Sequence, residues 1–232
     1  MSFKKIREKY VSLFPLKYTE PRIYATNEFV KRAAQEIPKG SRVIDLGAGE
    51  CQYKKYFEKC EYVSQDVCCY EGFNYPKLDI VSDITKIPVK DGAFDYALCT
   101  EVIEHVYDTR GMFKEISRIL KPGGKVYMTV AANAPEHQIP HDYFRFTRYS
   151  ARKLSEDYGF EVENLEPAGG YFNFASTVLM SFGMTPATRP VWYVLLPFSF
   201  IASFVLNKLD FLDKEKHYTH HFFLVAKKKA RR

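Results

Sequence analysis

Val43-Ile-Asp-Leu-Gly-Ala-Gly-Glu50 is the stretch that decides the fold. Val43 to Leu46 has the apolar character of a parallel strand buried on both faces. Gly47 and Gly49 break it, and an amphipathic stretch over 51–59 predicts a helix. A strand, a glycine turn and a helix N-terminus turn backbone N–H groups toward a ligand. Glycine lets that backbone come close because no Cβ intervenes. A second strand over 61–66 closes on Asp66, about 20 residues after the turn, where a carboxylate can accept both hydroxyls of a ribose. No G-x-x-x-x-G-K-[ST] run occurs, which excludes a P-loop. Gln52 stands where a dinucleotide fingerprint needs a small residue, which disfavours nicotinamide and flavin sites.

Further strands are predicted over 77–81, 94–99 and 124–130, with a helix over 108–120 between the last two. Helices over 2–10 and 19–37 precede them, Pro38 to Gly40 ending the second. A helix over 149–158, a strand over 160–165 and a last strand over 220–226 complete the chain. This alternation implies an α/β fold with a doubly wound, mostly parallel seven-stranded sheet, whose ligands bind outside the carboxyl ends of the strands.

Several motifs now stand in order: Asp45-Leu-Gly47-Ala-Gly49, Asp66, Ser82-Asp83-Ile84, Phe94 to His105, and Leu120-Lys-Pro-Gly-Gly124. In this order they resemble the class I S-adenosylmethionine-dependent methyltransferases, closely over 40–130 and more loosely to Glu166. The resemblance implies S-adenosylmethionine as cofactor. Asp45, Gly47, Ala48 and Gly49 would meet its methionine portion, and Asp66, with Val67 beside it, its ribose. Asp83 and Ile84 would hold the adenine, and Thr100 and Glu101 would line the side of methyl transfer. Asp95, at the head of a buried strand, reads as structural. On the acceptor side, His105 follows the fourth strand, and His137, His141, Tyr143 and Arg145 follow the fifth. His141 or His105 could act as general base toward a hydroxyl. Arg145 could orient a carboxylate. The run from His137 to Thr147 resembles a segment of bacterial methyltransferases from glycan and secondary-metabolite pathways. The acceptor is therefore expected to be a small molecule, a sugar derivative or a lipid-like intermediate, methylated at oxygen. The alternatives are a non-catalytic nucleoside-binding assembly module and a nucleic-acid methyltransferase. The absence of an Asn-Pro-Pro-Tyr-type tetrapeptide disfavours the latter.

Charge agrees. The total is +6, but the first nine residues sum to +3 and the stretch from Ala226 to +5, so the rest carries −2. Such a body is no nucleic-acid surface, and no nucleic-acid partner is expected. Basic ends suit weak contact with an anionic membrane. The five cysteines lack C-x-x-C spacing, so no metal site is expected, and they read as reduced thiols of a cytoplasmic protein with a possible peripheral membrane contact.

The chain divides into an N-terminal helical segment (1–40), a cofactor-binding core (41–166), an apolar helical insertion (167–218) and a last strand with a basic tail (219–232). From Pro167 to Asn207 the only charged side chain is Arg189. Two apolar segments, 171–184 and 191–206, flank a proline-bounded turn and are too short to span a bilayer. The insertion is open to three roles: a cap over the acceptor pocket, which the sequence favours, a homodimer interface, or a membrane-dipping hairpin. Trp192, the only tryptophan, would report which.

Overall fold

In the computed structural model, which describes residues 16–69, 74–181 and 189–230, the apolar run at Val43 lies mid-sheet. β1 (Arg42–Leu46) pairs in parallel with β2 (Glu61–Asp66) on one side and β4 (Phe94–Cys99) on the other. β3 (Ile80–Val81) borders β2. β5 (Leu120–Ala131) runs parallel to β4, and β7 (His221–Lys228) antiparallel to β5, with β6 (Phe160–Pro167) outermost. Among the described residues the order is β3-β2-β1-β4-β5-β7-β6. The chain reverses its progress across the sheet between β1 and β4, which places the ligand crevice at the carboxyl ends of those strands.

Contacts divide the chain into two units: a sheet unit of Phe29–Glu166 with His221–Arg232, and a second unit of Met1–Glu28 with Pro167–His220. The sheet unit holds the main core. Val43, Ile44, Leu46, Phe94, Val126, Met128 and Leu224 are all fully buried. After a one-turn helix α1 (Leu16–Thr19), α2 (Pro21–Glu36) crosses from one unit into the other and buries Phe29, Val30 and Ala33. α3 (Thr109–Ile119) buries Met112, Phe113, Ile116 and Ile119, the i, i+1, i+4, i+7 pattern of one helical face. Each such side chain stabilises the fold by roughly 1.5–3 kcal/mol. Asp108 caps the helix by accepting the Gly111 N–H at 2.8 Å. α4 (Arg148–Asp157) opens with a reciprocal capping box between Thr147 and Ser150.

Three expectations need correction. No α-helix follows the glycine turn; residues 51–59 contain only a 3-10 turn, Lys54–Tyr56. Cys51 takes a left-handed backbone (φ +55°), and successive i→i+3 bonds from Cys51 to Ala48 (2.8 Å) and Lys54 to Cys51 (3.1 Å) carry the chain round. Tyr53 and Phe57 are buried from this short loop, so apolar spacing there reflects a plugged turn rather than a helix face. The helix N-terminus expected beside the turn is thus absent. β3 spans two residues instead of five, because Asp79 accepts the Ser64 N–H (2.8 Å) and hydroxyl (2.7 Å) where ladder bonds would run. β5 begins at Leu120 rather than 124. The helix expected over 2–10 lies outside the described residues.

In the second unit, α5 (Tyr171–Ser181) and α6 (Arg189–Leu209) form a helical hairpin, with the turn at 182–188 outside the described residues. Carboxylates satisfy the start of α5. Asp210 accepts from Gly170 and Asn173 N–H (3.0 and 2.8 Å) and Asp213 from Tyr171 N–H (2.6 Å).

Candidate active site

A cavity of about 420 Å3 opens at the carboxyl edge of β1, β2 and β4, and every residue lining it belongs to the sheet unit. That volume lies within the roughly 300–1,000 Å3 of small-molecule sites. Gly47 and Gly49 form part of its wall, in left-handed conformations (φ +68° and +50°). A Cβ on Gly47 would run into Val102 Cγ2, so only glycine fits there. Asp66 ties the turn down: its Oδ2 accepts the Gly49 N–H at 2.9 Å and its Oδ1 the Cys68 N–H at 2.8 Å. Val67 follows it on the wall, half-exposed. Further along, Asp83 Oδ1 accepts both the N–H and the hydroxyl of Thr85 at 2.7 Å, and Ile84 is buried beside it. Glu101 lines the same cavity in a left-handed backbone (φ +56°), its N–H donated to Thr129 Oγ1 at 2.7 Å.

Among the acceptor candidates, His105, His141 and Tyr143 line the cavity. His105 Nδ1 lies 2.6 Å from the His141 carbonyl and so donates to it, which makes the neutral ring the Nδ1–H tautomer. Burial lowers the His105 pKa below the usual imidazole range. The His141 ring is held by Tyr143, Oη to Nδ1 at 2.9 Å, and Tyr143 packs edge-on to Tyr107.

Five expected residues lie elsewhere. Asp45 is fully buried inside β1, where the Tyr62 hydroxyl donates to its Oδ2 at 2.5 Å. Desolvation pushes its pKa up to about 7 against that hydrogen bond. It does not line the cavity and lies buried beside the glycine turn. Ala48 is buried and donates its N–H to the Gln65 carbonyl at 2.9 Å; Thr100 is likewise buried off the wall. Arg145 spends all five guanidinium N–H bonds inside its own loop. Nη1 and Nη2 grip Asp142 (2.6 and 2.8 Å), and the carbonyls of Ala134, Pro135 and Phe144 take the rest. The pair holds the Asp142 carboxyl well below the usual carboxylate range. Arg145 thus shapes the loop and has no donor left for an acceptor carboxylate. His137 belongs to the same loop, its N–H donated to Asp142 at 2.9 Å. Glu104, His105 and His137 each bring a potential ligand atom within 4.8 Å of the others. Asp95 is structural, accepting the Arg42 N–H at 2.9 Å and pairing with Lys121 at 2.6 Å.

Gln65, Val102, Tyr107 and Gln138 also line the cavity and were not foreseen. Gln65 and Val102 adjoin recognised motif residues, and Tyr107, 76% exposed, is a large aromatic left out of the core two positions after His105.

Comparison with known proteins agrees with this geometry. The profile of the methyltransferase-domain family matches residues 18–165, and the chain belongs to that family. Its class is that of the class I S-adenosylmethionine-dependent methyltransferases. The chain is 32% identical over 98 residues to a probable S-adenosylmethionine-dependent methyltransferase of Mycolicibacterium smegmatis, covering 39% of this chain and 38% of that one. It is 38% identical over 112 residues to phosphoethanolamine N-methyltransferase 2 of Caenorhabditis elegans, covering 48% and 24%. The chain thus spans well under half the length of either relative. Among solved structures, the [4+2]-cyclase SpnF superposes with a TM-score of 0.59 at 15% identity, over 88% of this chain and 82% of that one. Phosphoethanolamine N-methyltransferase 2 of Haemonchus contortus, in complex with S-adenosyl-L-methionine, gives 0.56 at 16%, over 88% and 52%. At these identities the structural likeness is one of fold.

Proposed function

We propose that the protein transfers the methyl group of S-adenosylmethionine to an oxygen of a small-molecule, sugar-derived or lipid-like acceptor. The observation that carries this is one cavity whose lining combines carboxylates and a glycine turn with His105, His141 and Tyr143. The cofactor supplies an activated sulfonium methyl when bound. In this reading Asp66 and Asp83 accept from hydroxyl and amino donors of its nucleoside, Ile84 lies against the base, and Gly47 admits the chain closely. Holding acceptor and methyl in line accounts for much of the acceleration such a reaction needs. His141 Nδ1 lies 2.9 Å from Tyr143 Oη; in the tautomer that donates from Nδ1, the ring takes a hydroxyl proton at Nε2. That imidazole favours oxygen. The relatives do not choose the atom, since their names include O-methyltransferases and N-methyltransferases.

Calorimetry with S-adenosylmethionine and S-adenosylhomocysteine, followed by methyl transfer to a panel of hydroxyl, carboxyl and amine acceptors, tests the proposal. His141→Ala should cut turnover roughly 100-fold or more while leaving cofactor affinity unchanged. Absence of cofactor binding would refute methyl transfer, and a His141→Ala enzyme with full turnover would refute the base.

A further inference from the structure

The α5–α6 hairpin is built inside out. Among its described residues the most deeply buried side chains are polar: Ser176, Ser199 and Ser203. Ser176 and Ser203 hydroxyls meet at 2.6 Å, and Asn207 Nδ2 donates to Ser176 Oγ at 2.7 Å. Asn173 donates to Asn207 Oδ1 at 2.7 Å, and Ser203 reaches the Tyr18 carbonyl at 3.1 Å. The outer face is the apolar one. On α6, Val191, Leu195, Phe198, Ile201, Phe204 and Val205 are 43–67% exposed. At 100° per residue these six share about half the helix circumference, opposite Ser199 and Ser203. A helix that docked its apolar face on its own chain would show the reverse, with serines outward and phenylalanines in.

Polar side chains joined across a helix pair with apolar ones outward are how helices pack where the surrounding medium is lipid. Three further features fit a lipid surface. The exposed stripe runs without charge between Arg189 and Lys208. Tyr171 and Tyr218, both more than half exposed and stacked edge to face at 5.6 Å, flank the base of the hairpin as interfacial aromatics do. The basic residues at the two ends of the sequence complement an anionic surface. No helix among the described residues is long and apolar enough to cross a membrane, and an exposed apolar face on a helix suits docking in the interface plane.

We infer that the outer face of the α5–α6 hairpin is a monotopic membrane-docking surface for anionic lipid bilayers, resting on α6 residues Phe198, Ile201 and their neighbours. This stands apart from methyl transfer and from the cap that the sequence alone favours.

The full chain is mixed with vesicles of phosphatidylcholine alone or with added phosphatidylglycerol, at low and high salt, and separated by flotation. Wild type should float with the anionic vesicles, and less at high salt. The Phe198→Glu/Ile201→Glu double variant should keep the wild-type circular dichroism and melting profile, because both side chains already face solvent. Its partition constant should fall at least about tenfold. Failure of wild type to float, or equal flotation of the double variant, would overturn the inference. So would a wild-type dimer that the double variant splits without vesicles having any effect, since the face would then belong to a second copy.

Discussion

Asp66→Ala is the most informative single perturbation, because the structure gives this carboxylate two jobs. It lines the cavity, where the proposed function has it accept from a nucleoside ribose, and it accepts the N–H groups of Gly49 and Cys68 at 2.9 and 2.8 Å. Hydrogen bonds to an ionised group contribute about 1.5–3 kcal/mol each. Loss of both from a buried position would cost about 3–6 kcal/mol; water reaching the open cavity edge reduces this to about 2–4 kcal/mol. Alanine should therefore lower stability as well as affinity for S-adenosylhomocysteine, the latter at least tenfold, about 1.4 kcal/mol. Asp66→Asn separates the two. Its carbonyl oxygen can keep one of the two bonds, to Gly49, so part of the stability should return, while a single neutral acceptor cannot replace two charge-assisted ribose bonds. Urea unfolding measures the first effect and isothermal titration calorimetry the second. An Asp66→Asn protein that binds S-adenosylhomocysteine with wild-type affinity would refute the placement of the ribose.

Gly47→Ala combines a left-handed backbone with a clash against Val102, and should cost about 1–3 kcal/mol in urea melts; Val102→Ala in the same chain should recover only the clash. Asp45 has a folded-state pKa raised from 3.8 to about 7, so its protonated form favours folding. That contribution is complete below about pH 4 and is lost as pH rises through about 7. Asp45→Asn stays neutral and should remove this slope, gaining on the order of 2–4 kcal/mol over wild type above about pH 7 and little near pH 4; a pH-independent difference in melts would contradict the burial argument. Arg145→Lys loses the two-pronged grip on Asp142 and most carbonyl bonds, so turnover should fall with cofactor affinity intact, and normal kinetics would show that the loop holds without it.

The strands were legible because burial on both faces demands unbroken apolar runs, as at Val43 to Leu46 and Val126 to Val130. α3 was legible from Met112, Phe113, Ile116 and Ile119, whose spacing admits one face only. The stretch from Cys51 to Lys59 misled because Tyr53 and Phe57, four apart, imitate a helix face while filling a hole under a turn. Residue type announced the carboxylates and histidines of the site but not their partners. Whether Arg145 meets an acceptor or Asp142, and whether Asp45 meets a cofactor or Tyr62, depends on tertiary neighbours that sequence spacing does not encode. The polar seam of the hairpin escaped notice for the same reason: Ser176 and Ser203 lie 27 residues apart and meet only when the helices pack.

Backbone strain locates the site independently of any motif. Among the described residues of the sheet unit, the non-glycine residues with positive φ are Cys51, Cys68, Glu101 and Gln138. They follow β1, β2, β4 and β5 respectively, four strands whose carboxyl ends share one edge. A left-handed non-glycine residue costs about 1–3 kcal/mol, and among the described residues neither the core nor the opposite edge of the sheet carries one. A chain that simply needed to leave a strand could do so in relaxed geometry or with glycine. Four departures from it around one cavity, two of them (Glu101 and Gln138) on its wall, mean that the turns are held open by the packed sheet beneath them. The same burial that fixes Ile44, Phe94 and Val126 therefore keeps the crevice from collapsing, which is what a site that must position two reactants requires.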